Sequence, residues 1–272
     1  MTIRSIISIM RAHTQNEGAG ATVHRTVGAR GLMNLDPFLL LDEFELKAGK
    51  GGFPNHPHRG FETVTYMLQG AIEHKDNKGN QGIIRAGDAQ WMTAGRGLIH
   101  SEMPKSTNGE TVHGLQLWVN LPAANKMDAP RYQDVVASDL PQVTEKGFTV
   151  KVLSGTYAGQ TGPVSGLVLQ PQYLDIRAES DSLFEHTLPT YHQAFIYVLT
   201  GSVRIGKSEG LARDLLILSE GDTVSLNARA GTRFILVSAA KTEEPVARYG
   251  PFVMNTRAEI EQAITDYNSG RF

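Results

Sequence analysis

Short apolar runs that alternate with polar residues recur along almost the whole chain, and Gly, Pro, Asp and Asn punctuate them. A period of two marks strands with one buried face, and the punctuating residues are turn formers. The pattern predicts strands over residues 61–68, 71–75, 82–86 and 89–93, with turns at Gln69-Gly70, at 76–80 and at Gly87-Asp88. Strands joined by such tight turns pair antiparallel, as a meander. Upstream, an apolar run over residues 38–41 is flanked by Asp36, Asp42 and Glu43, the pattern of a buried strand, and Asp42 either reaches a pocket or caps a turn. Gly49, Gly51, Gly52 and Pro54 make a turn-rich approach to the next segment. Over residues 113–120 the alternation puts His113, Leu115, Leu117 and Val119 on one face and Gln116, Trp118 and Asn120 on the other.

Residues 121–141 lose the pattern and carry Pro122, Pro130 and Pro141, so they are expected to connect two lobes. Strands resume over 151–154, 167–169, 173–177, 194–200 and 234–239. The halves echo each other: Tyr66 to Gly70 resembles Tyr197 to Gly201, and Gly87-Asp88 resembles Gly221-Asp222, at a nearly constant offset. Such an offset points to a duplicated β-domain. In that alignment His56 and His58 fall on Thr187 and Pro189, so no equivalent of the motif described below is expected in the second half. Residues 257–268 place Ile260, Ala263, Ile264 and Tyr267 at helical spacing, with Asn255 or Thr256 as the cap. The expected organisation is an all-β chain with one domain over 1–130, a second over 131–272, and a short C-terminal helix.

At 272 residues the chain is long enough for two domains of ordinary size. Lys and Arg total 26 against 28 Asp and Glu, a net charge of -2 with no basic run, which gives no footprint for direct nucleic-acid binding or an anionic membrane face. With no cysteine there are no disulfides, no thiol catalysis and no cysteine-held metal, a composition that fits a reducing compartment. The apolar residues 3–10 are interrupted by Arg4, too short for a spanning helix and without a signal-peptide pattern, so the expectation is a soluble cytoplasmic protein.

The chemistry concentrates in two short motifs. His56-Pro57-His58 and His100-Ser101-Glu102 each present two ligand-type side chains on one face of a strand, with Cα atoms roughly 6.6 Å apart. Two such pairs brought together form a four-ligand metal site, and imidazole with carboxylate suits divalent iron, manganese, cobalt, nickel, copper or zinc. Phe53, Arg59, Trp91, Met92 and Gln116 are candidates for a pocket around it. Aromatic and Met side chains would stack a planar ligand, and Arg and Gln would orient its oxygens. His13, His24, His74, His113, His186 and His192 have no partner at ligand spacing and are expected to be structural or solvated.

Five stretches, 34–40, 52–64, 90–97, 113–120 and 250–256, resemble the pirin family of the cupin superfamily, which includes bacterial pirin-type quercetin 2,3-dioxygenases. The resemblance spans nearly the whole chain. It implies two cupin barrels (double-stranded β-helix, or jelly-roll), with one divalent metal, iron(II) first, in the N-terminal one. It also implies His56, His58, His100 and Glu102 as ligands, in agreement with the spacing. A generic cupin would draw its carboxylate from the position of Glu62, but the longer spacing from Glu62 to Gly70 departs from that pattern. Glu102 is therefore taken as ligand and Glu62 as a residue behind it.

Four protein ligands on an octahedral ion leave two positions, enough for a substrate oxygen and O2. Quercetinase-like chemistry would deprotonate the 3-hydroxyl of a flavonol and add O2 across the ring with loss of carbon monoxide. Glu102 is the first choice of base and Glu62 the second. The resemblance equally implies a non-catalytic regulator whose metal state governs binding of a transcription factor or an enzyme. A sugar- or isomerase-type cupin is disfavoured, because the basic residues near the motif are few, chiefly Arg59, Arg85 and Arg96.

Overall fold

The computed structural model describes residues 1–46, 51–105 and 111–272; the expected turn residue Gly49 lies outside them. The chain divides into two units, His13–Ala137 with Thr242–Phe272, and Met1–Ala12 with Ser138–Lys241. Each unit is built on a pair of antiparallel sheets, seven strands and four, with a two-stranded sheet beside them.

In the first unit the large sheet runs, edge to edge, Arg131–Val135, Ala89–Thr93, Phe61–Gln69, Val112–Asn120, Phe38–Leu46, Ala21–Arg25 and His13–Glu17. The small sheet runs Phe53–His58, Leu98–Pro104, Ala71–Asp76 and Gln81–Arg85. Apolar side chains from both close the gap: Val23, Phe44 and Met67 of the large sheet pack with Ile72 and Ile84 of the small one. That is the two-layer solution a sheet with one apolar face requires.

The second unit repeats the plan in the same strand order, except that its outer edge strand, Ile6–Arg11, precedes the others in sequence where Arg131–Val135 follows them in the first. Its large sheet is Ile6–Arg11, Asp214–Leu218, His192–Thr200, Arg233–Ala240, Gln172–Ala178, Phe148–Ser154 and Gln142–Glu145. Its small sheet is Ser182–Thr187, Thr223–Ala228, Ser202–Ile205 and Ser208–Leu211. The matching order is what a duplicated domain predicts. Between these sheets Phe184, Val224 and Leu226, from the strands corresponding to the motif strands, and Leu188 just beyond the first of them belong to one apolar core.

Three expectations change. Arg131–Val135 is not a connector: it pairs with Ala89–Thr93 and closes the large sheet of the first unit. A polar edge strand carries little hydrophobic periodicity, which hides it in the sequence. Residues 167–169 do not form a strand but lie in a turn, between Gly166 at φ 64° and Gln170 at φ 48°. The two ends also exchange partners. Ile6–Arg11 pairs with Asp214–Leu218 in the second unit, whereas 242–272 belong to the first. There the Asp36 carboxylate accepts bonds from the backbone N–H groups of Thr242 (3.0 Å) and Glu243 (2.8 Å).

The helix Arg257–Asn268 forms where the spacing places it, capped by Thr256 and Glu259 in a reciprocal capping box. Ile260 and Ala263 bury against Phe252, Met254 and Phe272.

Candidate metal centre

Phe53–His58 and Leu98–Pro104 are neighbouring antiparallel strands, with His56 directly across from His100 and His58 across from Leu98. The pairing register and the two-residue repeat therefore bring three imidazoles together at one end of the small sheet. Their ring centroids lie 4.6 Å (His56 to His58), 4.5 Å (His56 to His100) and 5.0 Å (His58 to His100) apart. One ring nitrogen from each falls within 4.8 Å of the other two.

The donor atoms fit a divalent ion. His56 Nδ1 is 2.8 Å from the Pro54 carbonyl; donating its proton there leaves the lone pair on Nε2. That Nε2 lies 3.0 Å from Nε2 of His100. Two nitrogens bound at right angles to one ion through bonds of about 2.1 Å would be separated by about 3.0 Å. Both ring nitrogens of His58 and Nδ1 of His100 are buried without a hydrogen-bond partner among the described residues. Burial, reinforced by the neighbouring imidazoles, pushes His58 and His100 well below the ordinary histidine range, so both are neutral near pH 7. Neutral imidazole is the form that binds metal, and an orphaned polar atom in a dry site is costly unless something takes its lone pair.

Glu102 lines the same cleft but stands outside this tightest group. A β-bulge between His100 and Glu102 shifts the register, so Glu102 pairs with Phe53 rather than with residue 54. Its carboxyl group meets the Thr65 hydroxyl of the large sheet at 3.0 Å, and that hydroxyl also lies 2.7 Å from the Gln116 side-chain oxygen. One hydroxyl proton cannot serve both, so the second contact needs a donor on the partner: a protonated Glu102 or a turned Gln116 amide. Burial raises the proton affinity of Glu102; the charge of His56 and the Thr65 bond act against it.

His56 and His58 open on a cleft of about 280 Å³ within the first unit. Phe53 and Gln116 line it as expected, and Asp42 does too, with its carboxylate gripped by Arg25 at 2.8 and 2.7 Å. Glu62, Arg59, Trp91 and Met92 do not. Thr65 points toward Glu102, so Glu62, three residues earlier on the same pleated strand, points through the opposite face. There it accepts a 2.7 Å bond from Thr93. Trp91 sits across from Val64, on the Glu62 side of the sheet. Met92 faces the other way but is spent in a small core with Ala94, Leu98 and Tyr132. Arg59 donates to Asp266 at 2.8 Å and lies 4.2 Å from the Phe272 ring, tying the motif strand to the C-terminal segment.

Sequence reasoning missed Leu40, Trp118, Arg25 and Arg248, all of which line the cleft. Trp118 was within reach, because it shares the Gln116 face. Arg25 and Arg248 left no signal, being distant in sequence from each other and from the motifs. Among the remaining histidines, His113 is bonded to Glu43 at 2.8 Å across neighbouring strands. Glu43, Glu45 and His113 form a second group of metal-ligating types, on the opposite face of the sheet from Gln116.

A jelly-roll plan repeated twice, with buried imidazoles at metal-binding spacing in one copy, defines a bicupin with a candidate metal centre. The chain belongs to the pirin family: the Pirin family model matches residues 20–119, and the Pirin C-terminal cupin domain matches residues 173–272. A pirin-like protein of Solanum lycopersicum is 44% identical over 273 residues, covering 98% of this chain and 92% of its own length. Pirin of Mus musculus is 45% identical over 265 residues, covering 94% and 90%. The crystal structure of a quercetin 2,3-dioxygenase from Acinetobacter baumannii superposes with a TM-score of 0.92 at 36% identity, covering 99% of this chain and 98% of that one.

Proposed function

We propose that the chain is a metal-dependent dioxygenase that cleaves flavonols such as quercetin with O2. The observation that carries this reading is the cluster of three imidazoles, two of them held neutral by burial with ring nitrogens unpartnered among the described residues, beside a cleft walled in part by aromatic and apolar side chains. The likeness to the Acinetobacter baumannii quercetin 2,3-dioxygenase supports it.

His56, His58 and His100 would hold the ion, with Glu102 as the carboxylate beside them. Iron(II) is the first choice, and the same donors accept manganese, cobalt, nickel, copper or zinc. When bound, the metal supplies Lewis acidity toward a substrate oxygen and a seat for O2. The chain's own residues do the rest. Phe53, Leu40 and Trp118 offer surfaces against which a planar ring system can lie. Glu102 takes the flavonol hydroxyl proton, and its raised proton affinity suits a base for a weak acid. The side-chain amide of Gln116, linked through Thr65 to Glu102, orients the substrate's oxygens at the same wall.

The test is oxygen uptake with carbon monoxide release from quercetin by protein loaded in turn with each of these metals. Turnover is expected with at least one of them and is expected to vanish in His56→Ala. Absence of turnover by every metal-loaded form across a flavonol panel would instead favour a regulator that binds a transcription factor or enzyme according to metal state.

A further inference from the structure

The two arginines on the cleft wall are in different electrostatic situations. Arg25 is matched by carboxylates: Nε and Nη2 grip Asp42 at 2.8 and 2.7 Å, and Nη1 lies 3.0 Å from Glu17. Arg248 is not. Its Nη1 donates to the Leu39 carbonyl at 3.0 Å and its Nε to the Gly250 carbonyl at 3.3 Å. Both acceptors are neutral, and Nη2 carries no bond among the described residues. Burial and the charge of Arg25 push the Arg248 guanidinium down from its ordinary range, and Asp42 offsets only part of that. Arg248 is open to solvent on the cleft wall, and a cation held there by carbonyls alone is free to pair with an anion that enters the cleft.

Trp118 fixes how far that anion stands from the chemistry. Its ring lies 5.2 Å from the His58 ring and 5.0 Å from the Arg248 guanidinium carbon. The guanidinium is thus no farther from His58 than those two spans laid end to end, within the length of one fused aromatic skeleton.

We propose that Arg248 is a specificity residue, selecting a planar aromatic ligand that carries an anionic oxygen, carboxylate or phenolate, on a ring remote from the imidazoles. This rests on the flavonol reading of the same cleft. It goes further in saying that the preferred substrate is charged at its far end and that Arg248, not Arg25, binds the charge.

The test compares 3-hydroxyflavone with derivatives bearing a carboxylate at the 4′ or the 7 position. Their binding to anaerobic iron(II)-loaded protein is followed calorimetrically, so no turnover is needed. The chelating core is common to all, so the ratio of affinities isolates the remote charge. At least one acid is expected to bind about tenfold tighter than the parent. The ratio is expected to fall to about one in Arg248→Gln and to survive in part in Arg248→Lys, which keeps a point charge without the planar fork. A 4′-hydroxyl derivative measured on either side of its ionisation separates phenolate from carboxylate preference. No charge preference in the unmodified protein, a preference that persists in Arg248→Gln, or equal weakening of parent and acids would each overturn the proposal. Turnover of the parent flavonol is scored separately. A protein that prefers the acids but never consumes O2 keeps Arg248 in this role and loses the dioxygenase reading, whereas turnover without charge preference does the reverse.

Discussion

A proton and a metal ion would compete for the same lone pairs on His58 and His100, and burial weighs against the proton at both. His58, with neither nitrogen partnered among the described residues, has the most to gain from an ion. His58→Ala is expected to lower metal affinity at least 100-fold in a chelator competition. Glu62→Gln should leave metal content unchanged by elemental analysis, because the pleat turns Glu62 to the far face, where Thr93 binds it. Equal loss in both variants would return Glu62 to the site. The second unit carries the half-buried His186 and the buried His192, each lowered from 6.5 to about 4 by desolvation. Their depressed values mean that the unfolded chain takes up protons first. The stability they favour is complete above pH 6.5 and is lost progressively as pH falls toward 4. Urea midpoints are therefore expected to decline over that window, and a flat profile would refute the assignment.

At the scale of elements, the motif strand depends on one tight turn and one helix. Gly60 joins the second histidine pair member to the next strand at φ +89°, and a Cβ there would collide with the Val253 carbonyl. Left-handed backbone and a backbone clash act together, so Gly60→Ala is expected to cost more than about 2 kcal/mol in chemical denaturation and to reduce metal content as well. Thr256 and Glu259 close the first turn of the helix reciprocally. Thr256→Ala should cost about 1 kcal/mol. Because the helix carries Asp266, the partner of Arg59, fraying seen by amide exchange is expected to extend to the adjoining residues of the motif strand.

At the scale of the whole chain, each unit is completed by a segment remote in sequence: 242–272 for the first, Met1–Ala12 for the second. Deleting 242–272 should accelerate amide exchange in Phe61–Gln69 and Val112–Asn120, since Val253 packs with Phe61 and Trp118 in one cluster. Unchanged exchange would show that the segment is dispensable.

The two-residue alternation, the glycine and proline punctuation and the capping pattern by themselves determined an all-β duplicated chain with one terminal helix, because strand and cap preferences are local. The grouping of His56, His58 and His100 was legible for the same reason: ligand-type residues two apart on a strand advertise a common face. What only the tertiary structure decided depends on register and on contacts remote in sequence. A single bulge sets Glu102 apart from the imidazoles, and pleat parity sends Glu62 and Trp91 to the opposite face of the sheet. The returning C-terminal segment delivers Arg248 to Trp118. None of these follows from local pattern, since a strand's neighbours are chosen by packing across the sheet and not by the residues beside it in the chain.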